Sequence, residues 1–270
     1  MTGITVATVG DNCIDRYLPL RRSTVGGNAI NVAVHLARLG LGTAYLGAVG
    51  DDADGRRVLA ALRENGVDTR HADVRPGRTA WTEIDIDENN ERIIGFEEFG
   101  VCAGYRPDAA GTAFLRRMRH VHVGWLDDGG SVKSGLARSG VSVSQDLSVT
   151  SPAAGRRAEG LAVAFASAGP SIAEGEALAA RILAEGARMA VVTCGSAGSV
   201  VADGRTVARM DVRPVAVVDT LGAGDTFIAG FIAAHLAGRD LVECLASGRD
   251  LAAGTCGHLG GFPQAPGTLA

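Results

Sequence analysis

The sequence predicts an α/β protein: a central, mostly parallel sheet with helices on both faces, and a small β lid beside it. Two observations carry this. Short apolar strands alternate with helical stretches along most of the 270 residues, as in a sheet covered on both faces. Residues 79–100 break that rhythm with two alternating runs around Glu88-Asn89-Asn90, a hairpin pattern. With residues 12–25 this hairpin is expected to form the lid, leaving 1–11, 26–78 and 101–270 for the core.

Each element has its own justification. Residues 4–10 mix small and β-branched side chains and read as the first strand. From Asn28, apolar residues at Ala29, Val32, Ala33, Leu36 and Ala37 recur at helical spacing until Gly40. A short strand at 43–47 follows, then a helix capped by Asp54, carrying Val58, Ala61 and Leu62 and stopping at Gly66. After the hairpin, residues 121–126, 141–147, 161–167 and 189–194 are short apolar strands. Ser171 and Glu174 form a capping box that opens a helix ending near Gly186. Asp203-Gly204 is a type I′ turn signal between two further strands. A strand at 215–218, a helix at 223–237 and a last helix starting at Asp240 complete the chain.

Composition narrows the function. The net charge is −4, and no basic run exceeds two arginines, which argues against nucleic-acid or anionic-membrane surfaces. No apolar run approaches the ~20 residues of a membrane-spanning helix, and no signal peptide is evident, so a cytoplasmic location is expected. The five cysteines show no C-x-x-C spacing, which fits a reducing compartment without disulfides or zinc. The six histidines lack metal-ligand spacing, and His120-x-His122 reads as packing or local polarity within a strand. Lys133 is the sole lysine, and no G-x-x-x-x-G-K-[ST] surrounds it, so any phosphate must be gripped by backbone.

The segment Asp219-Thr220-Leu221-Gly222-Ala223-Gly224-Asp225 supplies such a grip. Gly222 and Gly224 let successive N–H groups converge with that of Ala223, and the following helix adds its positive end. A carboxylate there, Asp225, is electrostatically awkward and suits a general base. Three more segments stand out. Gly26-Gly27-Asn28 with Asn31 puts two amides on one helix face, suited to sugar hydroxyls. Asp11, Asn12 and Asp15 follow the first strand, at the sheet edge where α/β proteins bind ligands. Thr193, Gly195, Ser196 and Gly198 follow a later strand and can approach phosphates closely. The small residues Ala252, Ala253 and Cys256 suit either an adenine ring or close helix packing.

The D-T-x-G-A-G-D string resembles the C-terminal signature of the PfkB-type, or ribokinase-like, carbohydrate kinases. The G-G-N-A-x-N segment resembles their N-terminal signature, and T-x-G-x-x-G their nucleotide loop. The resemblance implies a ribokinase-like fold and transfer of a phosphoryl group from ATP to a sugar hydroxyl. It implies Asp225 as base with Gly222, Ala223 and Gly224 around the phosphoryl group. It places Asp11, Asn12, Asp15, Gly26, Gly27, Asn28 and Asn31 on the sugar. It places Ser167, Thr193, Gly195, Ser196, Gly198, Ala253 and Cys256 on ATP. Mg²⁺ is expected through ATP and water, without direct protein ligands, and a monovalent cation near Asp219. The family's N-x-x-E is replaced by Ser167-Ala168-Gly169-Pro170, leaving Glu174 or Glu176 as substitutes. Among subfamilies the chain is most similar to the fructoselysine 6-kinases, sharing G-D-N-C-x-D, G-G-N-A-x-N-V-A-V and F-A-S-A. That implies a fructosyl-amine acceptor, its cations met by Glu97 and Glu98, and a homodimer formed through the lid. Kinases for another sugar or a nucleoside, and a catalytically silent sugar or nucleotide sensor, stay open; a dehydrogenase would need a G-x-G-x-x-G that the first strand lacks.

Overall fold

The computed structural model describes residues 3–86, 92–149 and 153–269. The chain begins β1 (Val6–Val9), β2 (Cys13–Tyr17), β3 (Arg22–Gly26), α1 (Asn28–Arg38), β4 (Thr43–Leu46), β5 (Ala48–Gly50) and α2 (Ala53–Glu64). It continues β6 (Asp73–Arg75), β7 (Trp81–Ile86), β8 (Arg92–Glu98), α3 (Ala109–Leu115), β9 (His120–Val123), α4 (Ser131–Arg138), β10 (Ser142–Asp146) and β11 (Val163–Ser167). It closes with α5 (Ile172–Ala184), β12 (Ala190–Thr193), β13 (Ser199–Ala202), β14 (Val207–Met210), α6 (Ala223–Leu236), α7 (Leu241–Thr255) and β15 (Gly267–Thr268).

The eight-stranded sheet runs β14-β13-β12-β11-β10-β9-β1-β4. Its strands are parallel except at β12–β13 and β13–β14. Leu115 of α3, Leu136 of α4 and Ile182 of α5 bury one face; Val32 of α1, Phe231 of α6 and Leu245 of α7 bury the other. Both faces are covered, so most of the strands lack a polar alternation; β9 and β10, with His120, His122, Ser142 and Ser144, are exceptions. Lys133 is buried in the α4 region, with Nζ donating to Gln145 Oε1 and Gly155 O at 2.7 Å each and to Arg157 O. Among the described residues no helix is long and apolar enough to cross a membrane.

A second sheet, β15-β3-β2-β7-β8, stands beside the first. The expected hairpin is present as antiparallel β7 and β8; its Glu88-Asn89-Asn90 turn lies outside the described residues. The two-residue strand β15 joins β3, and β5 pairs with β6 in a separate two-stranded sheet. These pieces are too short for periodicity to register.

Four expectations about local structure are corrected. The α2 cap is Asp52, not Asp54: Asp52 Oδ1 accepts from Gly55 N at 2.8 Å and from the Thr79 hydroxyl at 2.7 Å. Ser171 Oγ does accept from Glu174 N at 3.3 Å, but Ser171 N donates to Gly169 O, so the box is half made. The β13–β14 turn centres one residue late, on Gly204-Arg205, and only Gly204 takes positive φ, so it is not type I′. Residues 215–218 are no strand: the sheet ends at β14, and Val215, Val217 and Val218 are exposed. Their β-branched run satisfies the sequence pattern, but a strand needs a neighbour as well.

Candidate active site

The carboxyl ends of β1, β9, β10, β11 and β12 share one edge of the main sheet, and the helices α1 and α6 start there. Asp11, just past β1, accepts N–H bonds from Asn28 (2.7 Å), Ala29 (3.3 Å) and Trp125 (2.8 Å). Burial raises its pKa, and these amides oppose the rise. Its carboxylate thus pins the start of α1 to the sheet. Asn12 is also a brace: its Nδ2 donates to Tyr45 OH, Ala48 O and Cys102 Sγ, and it is buried. Both residues, expected on the sugar, carry these scaffold bonds as well. Gly27 takes φ +105°, and a Cβ there would lie 2.8 Å from Asn12 Cα. A Cβ on Gly26 would lie 2.0 Å from Asp15 Oδ2, so that glycine makes room for the carboxylate.

The Gly-rich turn works through Gly222, at φ +77°, where a Cβ would meet Gly261 Cα at 2.4 Å. Gly224 faces open space, so its lack of a side chain is not forced by packing. Ala223 N–H is spent on Thr220 O (3.2 Å) and Thr226 N–H on Gly222 O (2.9 Å). That leaves Gly224 and Asp225 as the first-turn amides without a protein acceptor among the described residues. The Ala223 amide, expected in the anion hole, is engaged by Thr220 O in this structure.

Asp225 is gripped from both sides. Asn28 Nδ2 donates to its Oδ1 and Asn31 Nδ2 to its Oδ2, each at 2.7 Å. The two asparagines expected on the sugar thus also grip this carboxylate. Asp146, which sequence reasoning missed, ends β10 and accepts a 3.4 Å contact from Asn28 Nδ2. It carries no motif, and only the sheet order reveals it. Burial first, then the Asp146 charge, raises the Asp225 pKa to about 7, against the two amides. Burial raises Asp146 to about 6. A carboxylate poised near neutrality can accept a proton from a hydroxyl.

On the lid side, Asp15, Thr82 and Glu97 stand in register across β2, β7 and β8 and so share one sheet face. Asp15 is buried with a Cys13 thiol at 3.1 Å, and burial pushes its pKa to about 7. Burial also raises Glu97. Tyr17, two residues from Asp15 on the same face, donates to Asp219 Oδ2 on the core at 2.6 Å, so this face looks toward the site. Glu98 is corrected: it pairs with Trp81 on the opposite face and accepts from Gly100 N at 3.1 Å. Phe99 stacks on Trp125, centroids 4.0 Å apart, at the end of the same region. Asp219 Oδ2 also accepts from Gly260 N (2.9 Å) and its Oδ1 from Leu221 N (3.1 Å).

Ser167 and Thr193 are adjacent in register at the ends of β11 and β12. Gly195 (φ +52°) and Ser196 are exposed in the following turn; Gly198 is buried, with Met210 O where its Cβ would be. Cys256 acts through its carbonyl, which accepts from Val218 N at 2.8 Å, while Ala253 is buried in α7. Of the two substitute carboxylates, Glu176 is spent on Arg209 at 2.5 Å. Glu174 is exposed near Gly169, and Ser171 N does not claim it. Among the described residues no three His, Cys, Asp or Glu side chains come together as a metal cage. A cavity of about 690 Å³ between α5 and the β13–β14 hairpin lies away from this edge.

The sequence matches the model of the pfkB family carbohydrate kinases over residues 16–104 and 153–266. The chain belongs to that family. As a member of it, this carbohydrate kinase is a phosphotransferase acting on a sugar hydroxyl. It is 36% identical to the fructoselysine 6-kinase of Shigella flexneri over 96% of this chain and 99% of that one. It is 30% identical to the fructosamine kinase FrlD of Bacillus subtilis, over 94% and 91%. Its fold matches Arabidopsis thaliana ribokinase complexed with ribose and ATP at TM-score 0.81, with 21% identity over 96% of this chain and 94% of the other.

The raised carboxylates predict an unusual stability profile. Asp15 and Asp225 (about 7) and Asp146 (about 6) stay protonated in the folded chain where the unfolded chain is ionised. The stability they contribute is full below their ordinary pKa of ~4 and lost as pH rises through 6 to 7. Asp52, Asp68 and Asp127 are lowered, and their contribution is lost only on acidification below that range. The melting temperature of the ligand-free kinase should therefore fall by roughly a few degrees from pH 5 to pH 8. A calorimetric midpoint that rises over this interval would contradict the raised values.

Proposed function

We propose that this kinase transfers the γ-phosphoryl group of ATP to the 6-hydroxyl of a fructosyl-amine such as fructoselysine. The observation that carries the reading is the Asp225 carboxylate, held by two amides at the start of α6 beside first-turn N–H groups. Likeness to fructoselysine and fructosamine kinases along nearly the whole chain supports the acceptor class.

In this mechanism Asp225 takes the proton of the attacking hydroxyl. A pKa near neutrality keeps it a competent base at physiological pH. The amides of Gly224 and Asp225, with the positive end of α6, meet charge on the migrating phosphoryl group, whose loose transition state makes positioning decisive. Ser167, Thr193, Gly195 and Ser196 lie along the ATP side. Glu174 is the carboxylate available to hold hydrated Mg²⁺ there. Mg²⁺ held there would supply charge neutralisation to the ATP phosphates. The face bearing Asp15, Thr82 and Glu97 closes over the sugar and excludes competing water. Two raised carboxylates on that face favour a cationic acceptor, because an aminium restores their ionised form. A coupled ADP-release assay with ATP-Mg²⁺ and fructoselysine, psicoselysine, glucoselysine, fructose and ribose tests the assignment. Preference for ribose or fructose over every sugar-amine would reject it.

Asp225→Asn should keep the fold and lower kcat by about 10²–10⁴; near-normal turnover removes Asp225 as base. Glu97→Gln should weaken fructoselysine binding by roughly two- to fivefold, the small effect of a solvent-screened charge, and leave fructose unchanged. Glu98→Gln, on the opposite face, should alter neither substrate's KM. Equal losses for both sugars in Glu97→Gln would show that Glu97 does not read the amine.

The lid also supports a homodimer. β8 is an outer strand, with Ile94 56% and Phe96 53% exposed, and such an edge invites pairing with a second copy. Sedimentation should find a dimer for the native chain and a monomer for Ile94→Lys. A native monomer at micromolar concentration would refute lid pairing.

A further inference from the structure

A buried polar chain leads from the middle of the main sheet to Asp225. Ser142 Oγ lies 3.0 Å from His120 Nδ1, and His120 Nε2 lies 2.8 Å from Ser144 Oγ. Ser144 Oγ lies 2.9 Å from His122 Nδ1, and His122 Nε2 lies 3.0 Å from Asn28 Oδ1. Asn28 Nδ2 then reaches Asp225. Both imidazoles and Ser144 are buried.

The direction of every bond follows from the last one. An ionised Asp225 only accepts, so Asn28 must turn its NH₂ to Asp225 and its oxygen to His122. That oxygen also only accepts, so His122 carries its proton on Nε2. Burial pushes the pKa of both rings down to about 3, so each is neutral and holds one proton. His122 Nδ1 then accepts from the Ser144 hydroxyl. The Ser144 oxygen in turn accepts from His120 Nε2–H, and His120 Nδ1 accepts from Ser142. All five donors point toward Asp225, and aligned hydrogen bonds polarise one another in the same sense.

We propose that His122 is a positioning residue: it locks the Asn28 amide in the one orientation that presents N–H to Asp225. This rests on the reading of Asp225 as the base. Without the lock, Asn28 can rotate its oxygen toward the carboxylate and raise its pKa. The charged groups facing Asp225 are Asp146 from β10 and Asp11 after β1, both of which push the same way. His120 faces His235 and Arg119 at the far end of the chain.

The first test needs no turnover. In ¹⁵N-histidine-labelled native kinase at pH 7, His120 and His122 should both appear as neutral Nε2–H tautomers. A proton on His122 Nδ1 overturns the proposal. The second test compares His122→Gln, which keeps an N–H near the Nε2 position, with His122→Asn, which does not. The acid limb of kcat/KM against pH should stay near native in His122→Gln and move up by about one unit in His122→Asn, the scale of one lost charge-assisted bond. Coincident limbs in the two variants also overturn it. Full turnover of Asp225→Asn would remove the base while the NMR result still reports on the chain itself, so the two readings fail separately.

Discussion

The bond pair from Asn28 and Asn31 to Asp225 is the constraint around which the site is organised. It joins the first turn of α1 to the first turn of α6, elements nearly two hundred residues apart in sequence. A second tie one turn further along, between His35 and Thr226 at 3.0 Å, holds the same two helices in register. Asp11 fixes the start of α1 to the sheet, and Gly222 allows α6 to begin close against Gly261. Each of these contacts is local, yet together they set where one carboxylate stands relative to the sheet edge. A displacement of either helix start would be felt directly at the Asp225 carboxylate.

The acidic character of the site follows from its construction. Asp11, Asp15, Asp146 and Asp225 meet where four separate elements converge, and no lysine lies near them. Burial raises all four pKa values, and repulsion from neighbouring carboxylates adds to it for Asp15, Asp146 and Asp225, which costs stability while the site is free of ligand. That cost is offset when a hydroxyl or a cation is presented to them. The second sheet contributes Asp15 to this field and the main sheet Asp146.

The layered fold was legible because burial on both faces leaves a continuous apolar signature and because the hairpin interrupts it. The D-T-x-G-A-G-D string located Asp225 because its glycine at 222 is demanded by backbone geometry. What escaped the sequence was partner choice. Asn28 and Asn31 read as open sugar-binding amides, but whether an amide faces ligand or protein depends on another helix. Asp146 and His122 sit on ordinary strands, and their importance comes only from the sheet order that puts β9 and β10 beside β1. The strand expected at 215–218 failed for the same reason, since nothing in a local pattern says whether a neighbouring strand exists. Glu97 and Glu98 differ by one position, and pairing register alone decided which faces the pocket.

Lys133 is the sole lysine, and its ammonium is enclosed by two backbone carbonyls and a glutamine oxygen. Reducing sugars condense with side-chain amines that water can reach. The folded surface is supplied with cationic guanidinium groups but offers such sugars no lysine nitrogen. Condensation of a sugar with a lysine side chain of the folded protein would therefore require the Lys133 ammonium to leave these three acceptors.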